Sequence, residues 1–355
     1  MIQNNIAVIR GDGIGIEVVE EGIKILDAVS ENYDFELSFN EYPWSSKFYI
    51  DTGSMMPSDG IDTLSNYDAI FLGAVGHPDI QDHITLNGLL LPIRRKFDQY
   101  VCERPSVLYE GIESPLSGKK PFDIDMVVIR ENTEGEYANV GGFQYMDFPE
   151  EVGIQTGIFT RRGCERVIRY SFELARRRNK KKHLTSITKS NAQGYGMLVW
   201  DRAFERVSTE YPDISTDSLL VDAAAMDFIR KPEYFDVVVA SNLFGDILTD
   251  IAAIITGSMG LASSANLDPK RRYPSMFEPV HGSAPDIMGK GIANPMAQIL
   301  TGAMLLRHLG HVNAATDVEK AVLSVLSKGE ILTPDLYGSS TTSSVGDAIV
   351  SALGK

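Results

Sequence analysis

In Val237-Val-Val-Ala-Ser-Asn-Leu-Phe-Gly-Asp-Ile-Leu-Thr-Asp250 a β-branched run gives way to a polar break and then to helical spacing. That is the pattern of a buried strand feeding a helix. Asp246 and Asp250 stand four residues apart, so on a helix they share one face within reach of a single cation. Oxygen-only ligands favour a hard ion such as Mg2+ or Mn2+. A lone Asp-x-x-x-Asp is more often a solvated acidic helix face. Position argues for the ion, because ligands in open α/β sheets collect outside the carboxyl ends of buried strands.

The same alternation extends outward in both directions. Strands are expected at 218–221, delivering Asp222, at 184–188, followed by Lys189-Ser-Asn191, and at 126–129, ending in Arg130. Residues 131–137 form a polar loop that closes on Tyr137, a candidate site residue or a buried aromatic with a satisfied hydroxyl. Residues 89–100 have helical character with Pro92 near the start, and they run into Arg104-Pro105, where proline favours extended backbone. Arg94, Arg104 and Arg130 at element ends suit a clamp for two carboxylates, since each guanidinium is a planar fork. Solvation of a helix and a turn remains the alternative for Arg94 and Arg104.

Near the N-terminus a strand at 6–9 leads through Arg10-Gly-Asp-Gly-Ile-Gly15 into a helix at 17–30. The spacing is G-x-G-x-G, not the G-x-G-x-x-G dinucleotide fingerprint, so no Rossmann domain is inferred. Further elements are expected at 35–41 (strand), 59–64 (helix), 69–73 (strand), 162–178 (helix) and 200–211 (helix), and residues 138–160 suit an arm packing on another subunit. The basic run Arg176-Arg-Arg-Asn-Lys-Lys-Lys182 fits the C-terminal end of a helix better than a nucleic-acid patch.

At 355 residues two lobes are expected. A net charge of -15, from 33 basic and 48 acidic residues, argues against nucleic acid and anionic membrane as partners. Cys102 and Cys164 make no disulfide framework and no zinc pattern. Neither a signal peptide nor a membrane span is expected, which points to a cytoplasmic protein.

Four segments now carry a family resemblance over essentially the whole chain. They are Gly11-Asp-Gly-Ile-Gly15, Arg130-Glu-Asn-Thr-Glu-Gly-Glu-Tyr137, Asn242-Leu-Phe-Gly-Asp-Ile-Leu-Thr-Asp250 and Glu278-Pro-Val-His-Gly-Ser-Ala-Pro-Asp286. Together they resemble the β-decarboxylating dehydrogenases, which act on isopropylmalate, isocitrate, homoisocitrate, tartrate and D-malate. Arg94-Arg-Lys-Phe-Asp-Gln-Tyr100, the segment 130–137 and Phe159-Thr-Arg-Arg-Gly163 most resemble the tartrate and D-malate branch.

The resemblance implies an α/β protein with the two-domain isopropylmalate-dehydrogenase-like fold and a parallel or mixed sheet. It implies a discontinuous cofactor-binding domain (1–99 and 256–355) and a substrate and dimerisation domain (100–255) with an arm near 138–160. A homodimer would share its active sites, Lys189 of the partner subunit and the partner subunit's Asp222 completing each one, so a monomer would be inactive. By motif position Arg94, Arg104 and Arg130 resemble the carboxylate clamp, with Asn87 and Leu90 also toward the substrate. Asp222, Asp246 and Asp250 resemble the metal ligands, and Tyr137 and Lys189 the catalytic pair. His281, Gly282, Ser283, Ala284, Asp286, Asn294 and Asn191 are implied for NAD, with Mg2+ or Mn2+ and a monovalent cation such as K+ as further cofactors.

The implied chemistry is oxidation and decarboxylation of a 2-hydroxy dicarboxylic acid such as D-malate or tartrate. Lys189 would serve as base and Tyr137 as acid at carbon. Asp286 toward the adenosine ribose would favour NAD over NADP, unless Arg271 or Arg272 reaches in to compensate. Cys102-Glu103 departs from the usual Asn and apolar residue before Arg-Pro, and Asn87 stands where the branch tends to carry an aromatic residue. Leu90 and Leu91, as a wall for an alkyl group, support 3-isopropylmalate as the rival substrate. A non-catalytic binding protein on the same fold is the rival of another class.

Overall fold

A computed structural model describes residues 2–354. The strands are β1 (Ile2–Gly11), β2 (Phe35–Glu41), β3 (Ala69–Ala74), β4 (Val101–Val107), β5 (Asp125–Glu131), β6 (Gly135–Gln144), β7 (Val152–Ile158), β8 (His183–Thr188), β9 (Ser215–Leu220), β10 (Val237–Ala240), β11 (Ala265–Leu267) and β12 (Ser275–Phe277). The chain divides into two compact units. The first takes in the chain up to Gln99, Arg104–Ile124 and the chain from Ala252, and the second takes in Tyr100–Glu103 and Asp125–Ile251. Each is an α/β layer structure, so the architecture is the mixed-sheet α/β class implied by the resemblance.

In the first unit the strand order is β2-β1-β3-β12-β11. All pairings are parallel except β11 with β12. Both faces of β1 and β3 are buried, which is why Ile6-Ala-Val-Ile9 and Ala69-Ile-Phe-Leu72 read as unbroken apolar runs. Ala7, Ile9, Ile70 and Leu72 pack with Trp44, Leu89 and Phe97. On the opposite face the helix Gly15–Ser30 comes so near that a Cβ at Gly22 would stand 2.9 Å from the Phe71 ring.

The second unit runs β5-β10-β8-β9, parallel throughout, with Val237 beside Val127 and Ala240 beside Arg130. β6 and β7 form a separate antiparallel hairpin that occupies the expected arm, its apolar side chains Phe143 and Ile154 exposed. The helix Arg161–Arg178 starts on Thr160, whose hydroxyl accepts from Gly163 N, and stops on left-handed Asn179. Its basic end is paired within the unit: Arg176 meets Asp213, and Arg178 bridges Asp125 and Asp236. Among the described residues no helix is long and apolar enough to cross a membrane.

Two expectations shift. The helical stretch expected at 89–100 is the helix Leu91–Lys96, entered through a π-helical turn at Leu86–Leu90. Residues 104–124, expected in the middle domain, belong with the first unit. Ser114 Oγ donates to Ile255 O at 2.7 Å, Ile112 packs on Gly257, and Gly111, at φ +87°, lies against the Leu326 carbonyl. A Cβ at Gly111 would be 2.0 Å from that oxygen. Gly111→Ala should therefore lower stability by roughly 1–3 kcal/mol in urea unfolding. An unchanged midpoint would show that this segment is not seated on the helix Val312–Lys328.

Candidate active site

In the second unit Arg130 ends β5 and is 3 % exposed at its side chain. Its Nε donates to Asn242 Oδ1 at 2.9 Å, and its Nη1 pairs with Asp246 Oδ1. Tyr137 Oη donates to Asp246 Oδ2 at 3.0 Å, and the guanidinium stands 5.3 Å from the Tyr137 ring centre. Asn242 and Asp246 lie one turn apart on the helix Asn242–Ile255, which puts both on the face turned to Arg130. Gly245 is obligatory there, because a Cβ would come within 2.6 Å of the Arg130 side chain. Asp246 remains 35 % exposed despite these bonds, and Asp250 is exposed one turn on.

The acidic residues of the loop 131–137 act locally. Glu131 accepts from Thr133 N and Glu134 N, Glu134 caps the helix at Thr160, and Glu136 receives Ser241 Oγ and Leu243 N. Burial pushes the Glu131 carboxyl up, opposed by the Thr133 and Glu134 N–H bonds. That leaves Tyr137 as the group of the loop that reaches Asp246.

Lys189 follows β8 and Asp222 lies in the first turn of the helix Val221–Arg230. They pair at 2.7 Å, and the Lys189 ammonium holds the Asp222 carboxyl below the ordinary range. Asn191 is exposed in the loop beyond. Among the described residues no group of three or more His, Cys, Asp or Glu side chains could hold a metal ion. One chain therefore brings Lys189 to Asp222, and Arg130 and Tyr137 to Asp246, but does not gather Asp222, Asp246 and Asp250.

Arg104 is buried and extended in β4, as Pro105 requires. The departure before it has a local explanation: Cys102 is fully buried and Glu103 accepts from Tyr170 Oη at 2.6 Å. Side chains alternate along a strand, so Glu103 points to the face opposite Arg104. Burial and Glu103 together raise the Tyr170 phenol well above its usual range.

In the first unit Arg94 is buried, and its Nη2 meets Glu278 Oε1 at 2.5 Å. Glu278 also accepts from Asn266 Nδ2 at 2.7 Å, and Arg94 Nε is buried with no partner among the described residues. Asn87 donates to His83 O from the π-helical turn, and Leu90 packs in the core with Met55 and Leu89. Sequence reasoning assigned no role to Glu278, although it opens the quoted 278–286 motif.

A cavity of about 400 Å3 in the same unit is lined by His281, Ala284 and Asn294 of the expected cofactor set, together with Ile14, Ile287 and Asp335. Ser283 is buried at the loop's back, Gly282 has open space on its Cα, and Asp286 is exposed outside the lining. Asp335 was missed by sequence reasoning. It accepts from Ser258 Oγ, Asn294 Nδ2 and Thr333 Oγ1, and its only local signal is the proline break Thr333-Pro-Asp335. Arg272 is tied to Asp268 and Asp98, and both Arg271 and Arg272 line a different cavity with Tyr67 and His308. His281 Nδ1 lies 3.0 Å from Gly282 O, and since a carbonyl only accepts, Nδ1 carries the proton. Its Nε2, buried and without a partner among the described residues, is left as an acceptor.

A family model described as isocitrate/isopropylmalate dehydrogenase matches residues 5–349. A D-malate dehydrogenase (decarboxylating) of Escherichia coli K12 is 51% identical over 351 residues, 97% of each chain. A probable tartrate dehydrogenase/decarboxylase of Agrobacterium vitis is 49% identical, over 99% of this chain and 98% of the relative. Among solved structures, isocitrate dehydrogenase from Methylococcus capsulatus superposes with a TM-score of 0.89 at 34% identity, over 99% of this chain and 100% of that one.

Burial lowers the His281 pKa below the ordinary 6.5. In nitrogen-resolved NMR at pH 7, His281 should be the neutral Nδ1–H tautomer. An imidazolium, or a proton on Nε2, would contradict the geometry of this loop.

Proposed function

The chain belongs to the isocitrate/isopropylmalate dehydrogenase family, and from that membership we propose that it oxidises and decarboxylates D-malate or tartrate, using NAD and Mg2+ or Mn2+, as a homodimer. The observation that carries this reading is the Arg130, Asp246 and Tyr137 constellation at the ends of β5 and β10. In it Arg130 and Tyr137 both meet Asp246, which supports reading them as a carboxylate fork, a proton donor and an oxygen ligand.

The residues present suit both cofactors. Asp246 and Asp250 offer hard oxygen donors one turn apart, and Asp222 of the partner subunit would add a third. Around the 400 Å3 cavity, His281 offers a bare acceptor and Ile14, Ala284 and Ile287 an apolar wall for an adenine ring. Asp335 lines the cavity and Asp286 stands on the same loop outside it, and among the described residues no arginine belongs to the lining, which favours the ribose hydroxyls of NAD over a 2′-phosphate.

Held by Asp246, Asp250 and Asp222 of the partner subunit, a divalent cation would supply Lewis-acid polarisation of the 2-oxygen, and NAD held against residues 281–287 would supply the hydride acceptor. Arg130 supplies a fork for a substrate carboxylate, fixing its orientation before reaction. With its amine unprotonated, Lys189 of the partner subunit takes the proton of the 2-hydroxyl as C2 becomes a ketone. The bond from C3 to its carboxylate then breaks, CO2 leaves, and the electron pair passes toward the 2-oxygen. Tyr137 delivers a proton to C3, with Asp246 orienting its hydroxyl.

The exposed apolar side chains Met226, Ile229 and Ile247 on the helices that carry Asp222 and Asp246 favour a subunit interface there, as do those of the β6–β7 hairpin. NADH formation should be seen with D-malate or tartrate plus Mn2+, and not with 3-isopropylmalate. Silence with every 2-hydroxy diacid in a folded dimer would overturn the proposal. Tyr137→Phe should cost roughly 10²–10⁴-fold in turnover while leaving reduction of the 2-oxo intermediate intact. Lys189→Met should impair that reduction, and equal rates from the two variants would contradict the division of roles. Asp246→Asn should abolish Mn2+ dependence along with activity, and full activity would remove Asp246 from the metal site.

A further inference from the structure

Asp12 takes no part in the chemistry above, yet it is 7 % exposed and its carboxylate gathers three donors. Oδ1 accepts from Ser46 N at 2.8 Å, and Oδ2 from Ser46 Oγ at 2.7 Å and Gly76 N at 2.9 Å. Asp12 N in turn donates to Ala74 O at 2.7 Å. One side chain thereby binds the turn after β1 to the loop after β3 and to the start of the helix Ser46–Thr52.

The turn so fixed is pressed onto the segment 281–287. Gly13, at φ +58°, has no room for a side chain, because a Cβ would stand 1.9 Å from Ser283 O. Ile14 N donates to that same oxygen at 2.8 Å, and the Ile14 side chain packs on Ala284, Ile287 and Ala293. Gly76, held by Asp12, lies beside Ser283 Oγ. Ile14 and Ala284 are walls of the 400 Å3 cavity, so its shape depends on where the turn is held.

We propose that Asp12 is a positioning residue for the cofactor: by fixing the Gly11–Gly15 turn it sets the place of residues 281–287, against which the adenosine part of NAD binds. This rests on the reading of those residues as the cofactor loop. The glycine turn thus serves NAD from behind, as a brace for the loop and not as a phosphate cradle. The carboxylate is needed for its acceptors: an amide at this position would turn a donor toward Ser46 or Gly76.

The test uses the full chain with NADH alone. Asp12→Asn should raise the NADH Kd, read by fluorescence titration without substrate, on the order of tenfold. The KM for NAD should rise in step, with the KM for the diacid and kcat changing little. Hydrogen exchange should quicken across 281–287. Ser46→Ala, which removes one of the three donors, should shift the same quantities by less and guards against a poorly folded Asp12→Asn. Asp286→Ala tests the cofactor loop itself. If Asp286→Ala weakens NADH binding while Asp12→Asn and Ser46→Ala leave both binding and exchange unchanged, the positioning role is overturned and the cofactor loop stands. If exchange quickens in Asp12→Asn but neither Asp12→Asn nor Asp286→Ala alters NADH binding, the cofactor reading falls and the claim for NAD falls with it. A fall in kcat and both KM values' ratios together with the melting temperature, without a selective NAD effect, would reduce Asp12 to a structural residue.

Discussion

A guanidinium sealed at the end of a parallel strand must find its counter-charge inside the protein, and Arg130 imposes that demand on the middle of the chain. Unpaired, a buried ion carries a penalty of several kcal/mol. Asn242 and Asp246 meet it by standing one turn apart on the helix after β10, so the helix has to begin where it does. Gly245 follows from the same demand, since the arginine stem lies where its side chain would be. Glu136 caps that helix start, and the Tyr137 hydroxyl beside it closes on Asp246. The candidate acid, the candidate metal ligand and the carboxylate fork are thus arranged by one electrostatic requirement.

Charge burial is handled in the same way elsewhere. In a chain of net charge -15, Arg94 is held by Glu278, and Arg178 by Asp125 and Asp236. Within the basic run at 176–182, Arg176, Arg178, Lys180 and Lys181 meet neighbouring carboxylates and carbonyls. Arg94 differs from Arg178 in one respect. Its Nε is buried and has no partner among the described residues.

What was legible in the sequence is what local pattern encodes. β10 and β5 are buried on both faces, so their apolar runs stand out, and an arginine or aspartate just past such a run falls at the carboxyl end of the sheet. The spacing of Asp246 and Asp250 carried over directly to one helix. The π-helical turn at 86–90 was not legible, because its apolar residues suit an ordinary helix equally well. The placement of 104–124 depends on Ile255, Gly257 and Leu326, far along the chain, and so leaves no periodic trace. Asp335 is held by the side chains of Ser258, Asn294 and Thr333, and in the glycine turn Gly13 answers to Ser283 while Gly11 answers to Ala74; these conditions are set mostly by residues far along the chain.

The discontinuity of the first unit bears on how the protein is made. β12 pairs with β3 across some two hundred residues of chain, and the helix Thr342–Ala352 lies against the helix Gly15–Ser30, with Lys24 paired to Asp347 and Gly346 against Glu21. During synthesis the second unit, contiguous from Asp125 to Ile251 apart from the short Tyr100–Glu103 piece, can acquire its sheet first. β1, β2 and β3 form a half-built layer until β12 and the helix Thr342–Ala352 have been made. The sheet of the first unit is therefore the part of this chain whose pairing is completed late in its synthesis.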